Sequence, residues 1–504
     1  LVLKSLTITP AEAIAPIQIN GESHVTTYLE GENRISINKS KSSSSPAGIS
    51  VAKDAKLTID SEPEQQGSIE VLNNTKVSKT GAAIGGNVGQ DTGIIHIKGG
   101  TVIAKMTDYN PRGAAIGASA GKSVEEIRIS GGVVTAKGSW GAGIGTGSAD
   151  SQERTGKIVI EGGTVNASSE NGAGIGSGIG YARSKPAITA EIEIHGGMIT
   201  AYSERGACIG SGLDSSSKVL IDGGTICLDK KTTGYRKVAH IGMGESSNTQ
   251  VQTDVTITGG TICLKEADGY IPRPIIYGWE QVDGNGQQNK PKDANGNPVY
   301  YTTADLTGIY ENNTLVEKAG IEGSSYGFKD VRTDSSGKLY MYLPASEAVK
   351  ASFGGVEFTG KVEAGKDENV LEREQTSIDY QREVLKNMAL YDLEYAESQD
   401  ATTWERVRAG GEVSLTEILD KQPESATEIT LYVRKAATGS TTEGEAVEIK
   451  IPVRPKKPDP IQITNVTKDS YLIKAGTAVS GCEYGISESV DGELQWQSGT
   501  WFKN

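Results

Sequence analysis

The chain is poor in the residues that fill large globular cores: 4 Phe and 5 Trp among 504 residues, 6% aromatic in all. No run of about 18 apolar residues occurs, so no transmembrane helix and no membrane insertion is expected. Lys and Arg are nowhere dense, and the net charge is −14 with a pI near 5.0, which speaks against nucleic acid or an anionic membrane surface as partner. The 4 Cys include no Cys-x-x-Cys. His24, His96, His195 and His240 lie without metal-ligand spacing, so neither a metal nor a cofactor is expected. The acidic stretch Asp283 to Asp293 lacks the spacing of a calcium loop, and no Ser/His/Asp grouping or Gly-x-x-x-x-Gly-Lys loop appears. Leu1 to Pro16 has no basic head and no long apolar core, so it does not read as a signal peptide. Starting without Met, the chain is expected to be a processed or excised piece.

Glycine, in contrast, is abundant, with 64 residues, and it is placed in a rhythm. Ile-Gly recurs at Ile84-Gly85, Ile116-Gly117, Ile144-Gly145, Ile175-Gly176, Ile209-Gly210 and Ile241-Gly242, at intervals of 28 to 34 residues. Interleaved is Gly99-Gly100, Gly131-Gly132, Gly162-Gly163, Gly196-Gly197, Gly223-Gly224 and Gly259-Gly260. A repeat of this length signals a solenoid, a propeller or an array.

Side-chain parity chooses among them. Apolar-x-apolar precedes each Gly-Gly (Ile95/Ile97, Ile127/Ile129, Ile158/Ile160, Ile192/Ile194, Val219/Ile221, Val255/Ile257), and a second such pair follows it (Val102/Ala104 through Ile262/Leu264). These are period-two strands meeting at a glycine corner. Ala82/Ile84 and its five counterparts suggest a third, tightly packed strand. Three short strands per coil, stacked in register, define a parallel β-helix, here expected to be right-handed, in which each coil pairs with the next. A propeller blade needs four longer strands. The fold class is therefore all-β: a right-handed parallel β-helix (solenoid) followed by a small β-rich cap and β-sandwich modules.

The expected domains are an N-terminal extension (1–16), the β-helix (17–270), the cap (271–375), an Ig- or fibronectin-like sandwich (376–457) and the start of a further sandwich (458–504). Residues 17–80 read as irregular first coils, with strand runs at Arg34 to Ile37, Ile49 to Val51 and Leu57 to Ile59. Strand candidates in the cap are Val299 to Thr302, Lys338 to Leu343 and Val356 to Lys361, with turn chemistry at Asp334-Ser335-Ser336-Gly337. Alternation at Glu428 to Arg434 and Ala446 to Val453 marks the sandwich, and Arg454 to Pro460 a stiff spacer. Forty-odd residues after it are too few for a seven-stranded sandwich, so the natural polypeptide is expected to continue past Asn504.

Phrases such as Gly141-Ala142-Gly143-Ile144-Gly145 and Gly162-Gly163-Thr164-Val165-Asn166-Ala167 resemble repeats of large secreted or wall-attached proteins of Gram-positive gut bacteria. Such repeats are often labelled carbohydrate-binding. The stretches Asp334 to Pro344 and Ile449 to Pro455 look like the modules that accompany them, the latter akin to fibronectin-type or Ig-like spacers. The resemblance implies a secreted, cell-wall or cell-surface location and an adhesin or carbohydrate-binding role, with a glycan or host-surface glycoprotein as partner. It assigns no catalytic residue.

The candidate site follows from parity. Ala83, Ala115, Gly143, Gly174, Cys208 and His240 take the outward position of the Ala-x-Ile-Gly strand and are expected to form a flat, bare floor. Arg112, Trp140, Asn171 and Arg205 edge it, one per coil. An aromatic face beside planar donors suits a sugar chain. The competing reading is that the glycines only permit tight corners. Glu170 and Glu204, one position earlier on adjacent coils, are about 5 Å apart by stacking. That separation raises one pKa by repulsion and suits a retaining glycosidase pair, with Arg205 expected to relieve it. The loop Gly178 to Ala190 adds Tyr181, Arg183 and Lys185. The leading reading is a carbohydrate-binding region. The alternatives are a polysaccharide hydrolase or lyase and a structural stalk. Cys227 and Cys263 share an outward position on adjacent coils, about 4.8 Å apart and near disulfide range; a reduced stacked pair is expected, with a bridge as the alternative.

Overall fold

The computed structural model describes residues 1–180, 188–229, 239–244, 251–270 and 291–454, apart from positions 65, 108, 109, 150–152, 252, 267, 268, 390, 424, 425 and 440. Beyond 454 it describes the backbone of five short strands, Gln462–Thr464, Leu472–Lys474, Tyr484–Ile486, Gln495–Gln497 and Trp501–Lys503. The described residues are almost wholly β. Their one α-helix is Thr416–Asp420. The chain forms two compact units, Leu1–Arg373 and Glu374–Asn504.

The first unit is built on a parallel β-solenoid. Leading strands Thr92–Ile97, Val124–Ile129, Arg154–Ile160 and Ile188–Ile194 stack in parallel, with Ile95 on Ile127, Ile127 on Ile158 and Ile158 on Ile192. Trailing strands do the same, with Val102 on Val134, Val134 on Val165 and Val165 on Ile199. Because parity sends alternate side chains inward, these residues form continuous ladders that are at most 1% exposed. Each corner turns on the second glycine, whose φ runs from +75° at Gly100 to +91° at Gly197, a region L residues avoid. In the last two coils leading and trailing strands run on through the corner as Ser216–Asp229 and Thr253–Glu266.

Solenoid pairing starts earlier than the sequence suggests. Val2–Lys4 pairs in parallel with Tyr28–Glu30, and Thr7–Ile8 with Arg34–Ile35. Residues 1–16, read as an extension, thus contribute strands to the sheet.

The third rank departs most from expectation. Each Ile-Gly pair does stack on the next, Ile84 on Ile116 and Ile116 on Ile144. The segment around it, however, is a narrow spur. The Ala N–H bonds to the carbonyl four residues on, from Ala82 to Gly86 at 2.9 Å through Ala239 to Met243 at 3.1 Å. The chain therefore doubles back with Ile at its inner tip. Ala83, Ala115 and Cys208 are 0% exposed and belong to the main core, and Gly143 and Gly174 are buried. The bare floor does not exist as a surface. Strict alternation holds for an extended strand, whereas here the two extended residues end on a glycine at φ +128° to +138°.

The cap carries the antiparallel pair Val299–Asp305 and Lys338–Pro344, then Ser346–Phe353, Val356–Val362 and Asn369–Arg373. It docks on the last coils. The Tyr340 N–H donates to Thr261 Oγ1 at 2.9 Å, the Tyr326 hydroxyl to the Gly260 carbonyl at 2.8 Å, and the Gly197 N–H to Asp330 Oδ2 at 3.0 Å. Docking also covers an outward position: Cys263, expected to point away from the coil core, is only 5% exposed and shares a buried cluster with Tyr301, Tyr340 and Tyr342 of the cap.

In the second unit, one sheet pairs Thr376–Asp379, Val384–Asn387 and Glu412–Ser414, and another Leu393–Ala396, Glu405–Val407, Glu428–Lys435 and Val447–Pro452. They enclose Leu385, Leu393, Leu415, Leu431 and Ile451 in a sandwich-like core.

Candidate ligand-binding site

At the ends of the trailing strands Thr164–Ser169 and Met198–Ser203 a buried hydroxyl holds the turn into the spur, and Thr80 does so on an earlier coil. Ser169 Oγ shares its one proton between the carbonyls of Ser139 (2.8 Å) and Gly141 (2.9 Å), Ser203 Oγ donates to the Gly172 carbonyl (2.8 Å), and Thr80 Oγ1 accepts from the Gly113 N–H (2.8 Å). These bonds satisfy backbone groups that would otherwise be buried without partners. After Ser169 and Ser203 they also fix where Asn171 and Arg205 emerge from the turn.

Stacking then assembles the row. The N–H of Trp140 bonds to the Pro111 carbonyl (3.1 Å), that of Asn171 to Ser139 (2.8 Å) and that of Arg205 to Glu170 (2.9 Å). Arg112, Trp140, Asn171 and Arg205 consequently stand one above another. The Arg112 guanidinium carbon lies 5.5 Å from the Trp140 ring centroid, a cation–π contact. One Arg205 Nη1 donates to Asn171 Oδ1 at 3.3 Å. Arg112, Trp140 and Asn171 are half-buried, and Arg205 is exposed.

Glu170 and Glu204 are both exposed and occupy equivalent positions on adjacent coils. The Ser139 hydroxyl donates to Glu170 Oε2 at 2.8 Å. Neither carboxylate sits in an enclosed, water-free pocket. Tyr181, Arg183 and Lys185 lie outside the described residues.

Parity reasoning passed over Tyr202, which stacks between Ser168 and Asp229 just before Ser203 and Glu204. Burial, and then the carboxylates of Glu204 and Asp229, hold its hydroxyl above the usual phenol range. The only signal in the sequence was a single aromatic at a position otherwise held by Lys105, Lys137, Ser168 and Asp229.

The outward face of the leading strands is of another kind. Arg128 pairs with Glu126 (2.9 Å) and Glu161 (2.6 Å), Lys157 with Glu193 (3.0 Å), and His195 with Asp222 (2.8 Å). Such a face neutralises itself and offers little to a charged ligand. Among the described residues no group of three or more His, Cys, Asp or Glu side chains gathers to hold a metal, and no helix is long and apolar enough to cross a membrane.

The beta helix repeat family model matches residues 95–120, 127–148, 158–179 and 192–213. Each match runs from a leading strand past the Ile-Gly spur, so the matched repeat is one solenoid coil. Comparison with curated proteins and with solved structures gave no match.

Proposed function

We propose that the solenoid is a carbohydrate-binding region of a secreted, cell-surface-attached adhesin, and that the row Arg112, Trp140, Asn171 and Arg205 contacts the glycan or host-surface glycoprotein. The observation that carries this reading is the row itself. Four consecutive coils present a guanidinium, an indole, an amide and a second guanidinium at one height, already linked by the 5.5 Å and 3.3 Å contacts. A ring that stacks and planar groups that donate in pairs are the means by which proteins hold sugars against competing water. The coil repeat of about 4.8 Å lets successive sugars of one chain meet successive coils. The following modules, Ig- or fibronectin-like in this reading, act as spacers.

A glycan array probed with the full chain and with Trp140→Ala tests this. The reading expects a defined glycan set bound by the parent chain and lost in the variant, with the far-ultraviolet spectrum and unfolding temperature unchanged. No bound glycan leaves a structural stalk. Cleaved glycans that disappear with Glu170→Gln transfer the site to hydrolysis, the reading favoured by the stacked Glu170 and Glu204.

A further inference from the structure

The last two coils carry two cysteines at one register position beneath the docked cap. Cys227 and Cys263 are Cα partners in the parallel ladder, and their sulfurs are 3.0 Å apart, a contact with no S–S bond between them. In-register neighbours about 4.8 Å apart fall within the Cα separation a disulfide spans. Closing the contact to a bond takes about 1 Å of sulfur movement, which side-chain rotation provides.

The two thiols differ in environment. Cys263 is 5% exposed and lies within the cluster of Tyr301, Tyr340 and Tyr342, while Cys227 is half-buried at its margin. The hydrogen bond with Cys227, and then burial, push the Cys263 thiol well above the usual range. Cys227 is thus the sulfur a reagent reaches first. Cys208 stands in the Ile-Gly rank, its thiol directed at the Asp229 carbonyl at 3.6 Å, and does not intervene.

We propose that Cys227 and Cys263 form a covalent modification site, oxidised by a low-molecular-weight disulfide to a cross-link that ties the final two coils together where the cap docks. The Cys227 thiolate attacks one sulfur of the small disulfide, releasing one small thiol and leaving a mixed disulfide. Cys263 then gives up its proton and displaces the second small thiol, which takes a proton in turn. Two electrons and two protons pass from the protein dithiol to the reagent, giving one protein disulfide and two small thiols. The bond spans 36 residues of sequence, a loop whose closure restrains the unfolded chain.

The full chain is incubated with oxidised glutathione, quenched with N-ethylmaleimide in denaturant, digested and mapped by mass. The expected product is a peptide pair joined through Cys227 and Cys263, lighter by two hydrogens. The oxidised chain is expected to unfold a few degrees higher, and dithiothreitol to reverse the gain. Cys263→Ser should accumulate a glutathione adduct on Cys227, and Cys227→Ser should leave Cys263 unmodified. Recovery of both residues as separate alkylated thiols, or of Cys227 bonded to Cys208 or Cys482, overturns the proposal, and that readout on the parent chain depends on no variant.

Discussion

The guanidinium of Arg112 faces the indole of Trp140 across one coil step, 28 residues apart in sequence and 5.5 Å from carbon to ring centroid. A half-buried cation–π contact that keeps part of its hydration contributes about 1 kcal/mol or somewhat less. Replacing Arg112 by Ala should leave the ring in place but less firmly oriented. Glycan affinity is expected to fall roughly two- to fivefold, measured by titration calorimetry, with little change in unfolding temperature.

Glycine is required at the spur for two separate reasons. Gly145 has φ +138°, and a Cβ there would meet the Gly176 carbonyl oxygen at 1.9 Å. That oxygen belongs to the stacked backbone and cannot yield. Gly145→Ala should cost more than about 3 kcal/mol. Gly121 provides the control: its φ is +70°, but nothing lies within 4 Å of an added Cβ. Gly121→Ala should cost only the backbone strain, about 1 kcal/mol. Denaturant unfolding of the two variants measures the difference.

Buried hydroxyls tie neighbouring coils behind the spurs. Ser177 Oγ accepts from the Gly212 N–H at 3.1 Å, as Thr146 Oγ1 does from Gly178 and Ser211 Oγ from Gly244. Ser177 is 0% exposed, so no water replaces its oxygen. Ser177→Ala should destabilise the solenoid by about 2 kcal/mol, and amide exchange at Gly212 should quicken.

Acid should loosen the leading-strand face through Glu193. Burial alone would raise its pKa, but the hydrogen bond and charge of Lys157, with His195, outweigh burial and hold it below the ordinary 4.5. A depressed folded pKa means the unfolded chain binds the proton more readily. The contribution is present above pH 4.5 and is lost as pH falls through the lower folded value. Glu193→Gln should flatten that part of the stability profile, read as unfolding temperature against pH.

The coil was legible because its two glycine pairs and its Ile and Val ladders are local consequences of stacking. Strands in the cap and the second unit, such as Lys338–Pro344 and Glu428–Lys435, were legible for the same reason. Two features were not. The spur at Ala82 to Gly86 looks like a strand by alternation, yet an N–H bond to the fourth carbonyl on folds it inward and buries Ala83. The burial of Cys263 depends on Tyr340, 77 positions away, whose docking leaves no mark in the repeat. The stacking of Arg112, Trp140, Asn171 and Arg205 in one row was legible from register alone, whereas the half-buried setting of Tyr202 between Ser168 and Asp229 was not.

A crystal structure of the chain with the tightest-binding oligosaccharide from the array tests the central claim most directly. The account predicts a sugar ring against Trp140 and hydroxyls within hydrogen-bond distance of Asn171 and Arg205 on the coils that follow. An oligosaccharide seated elsewhere on the chain, with this row untouched, would contradict it.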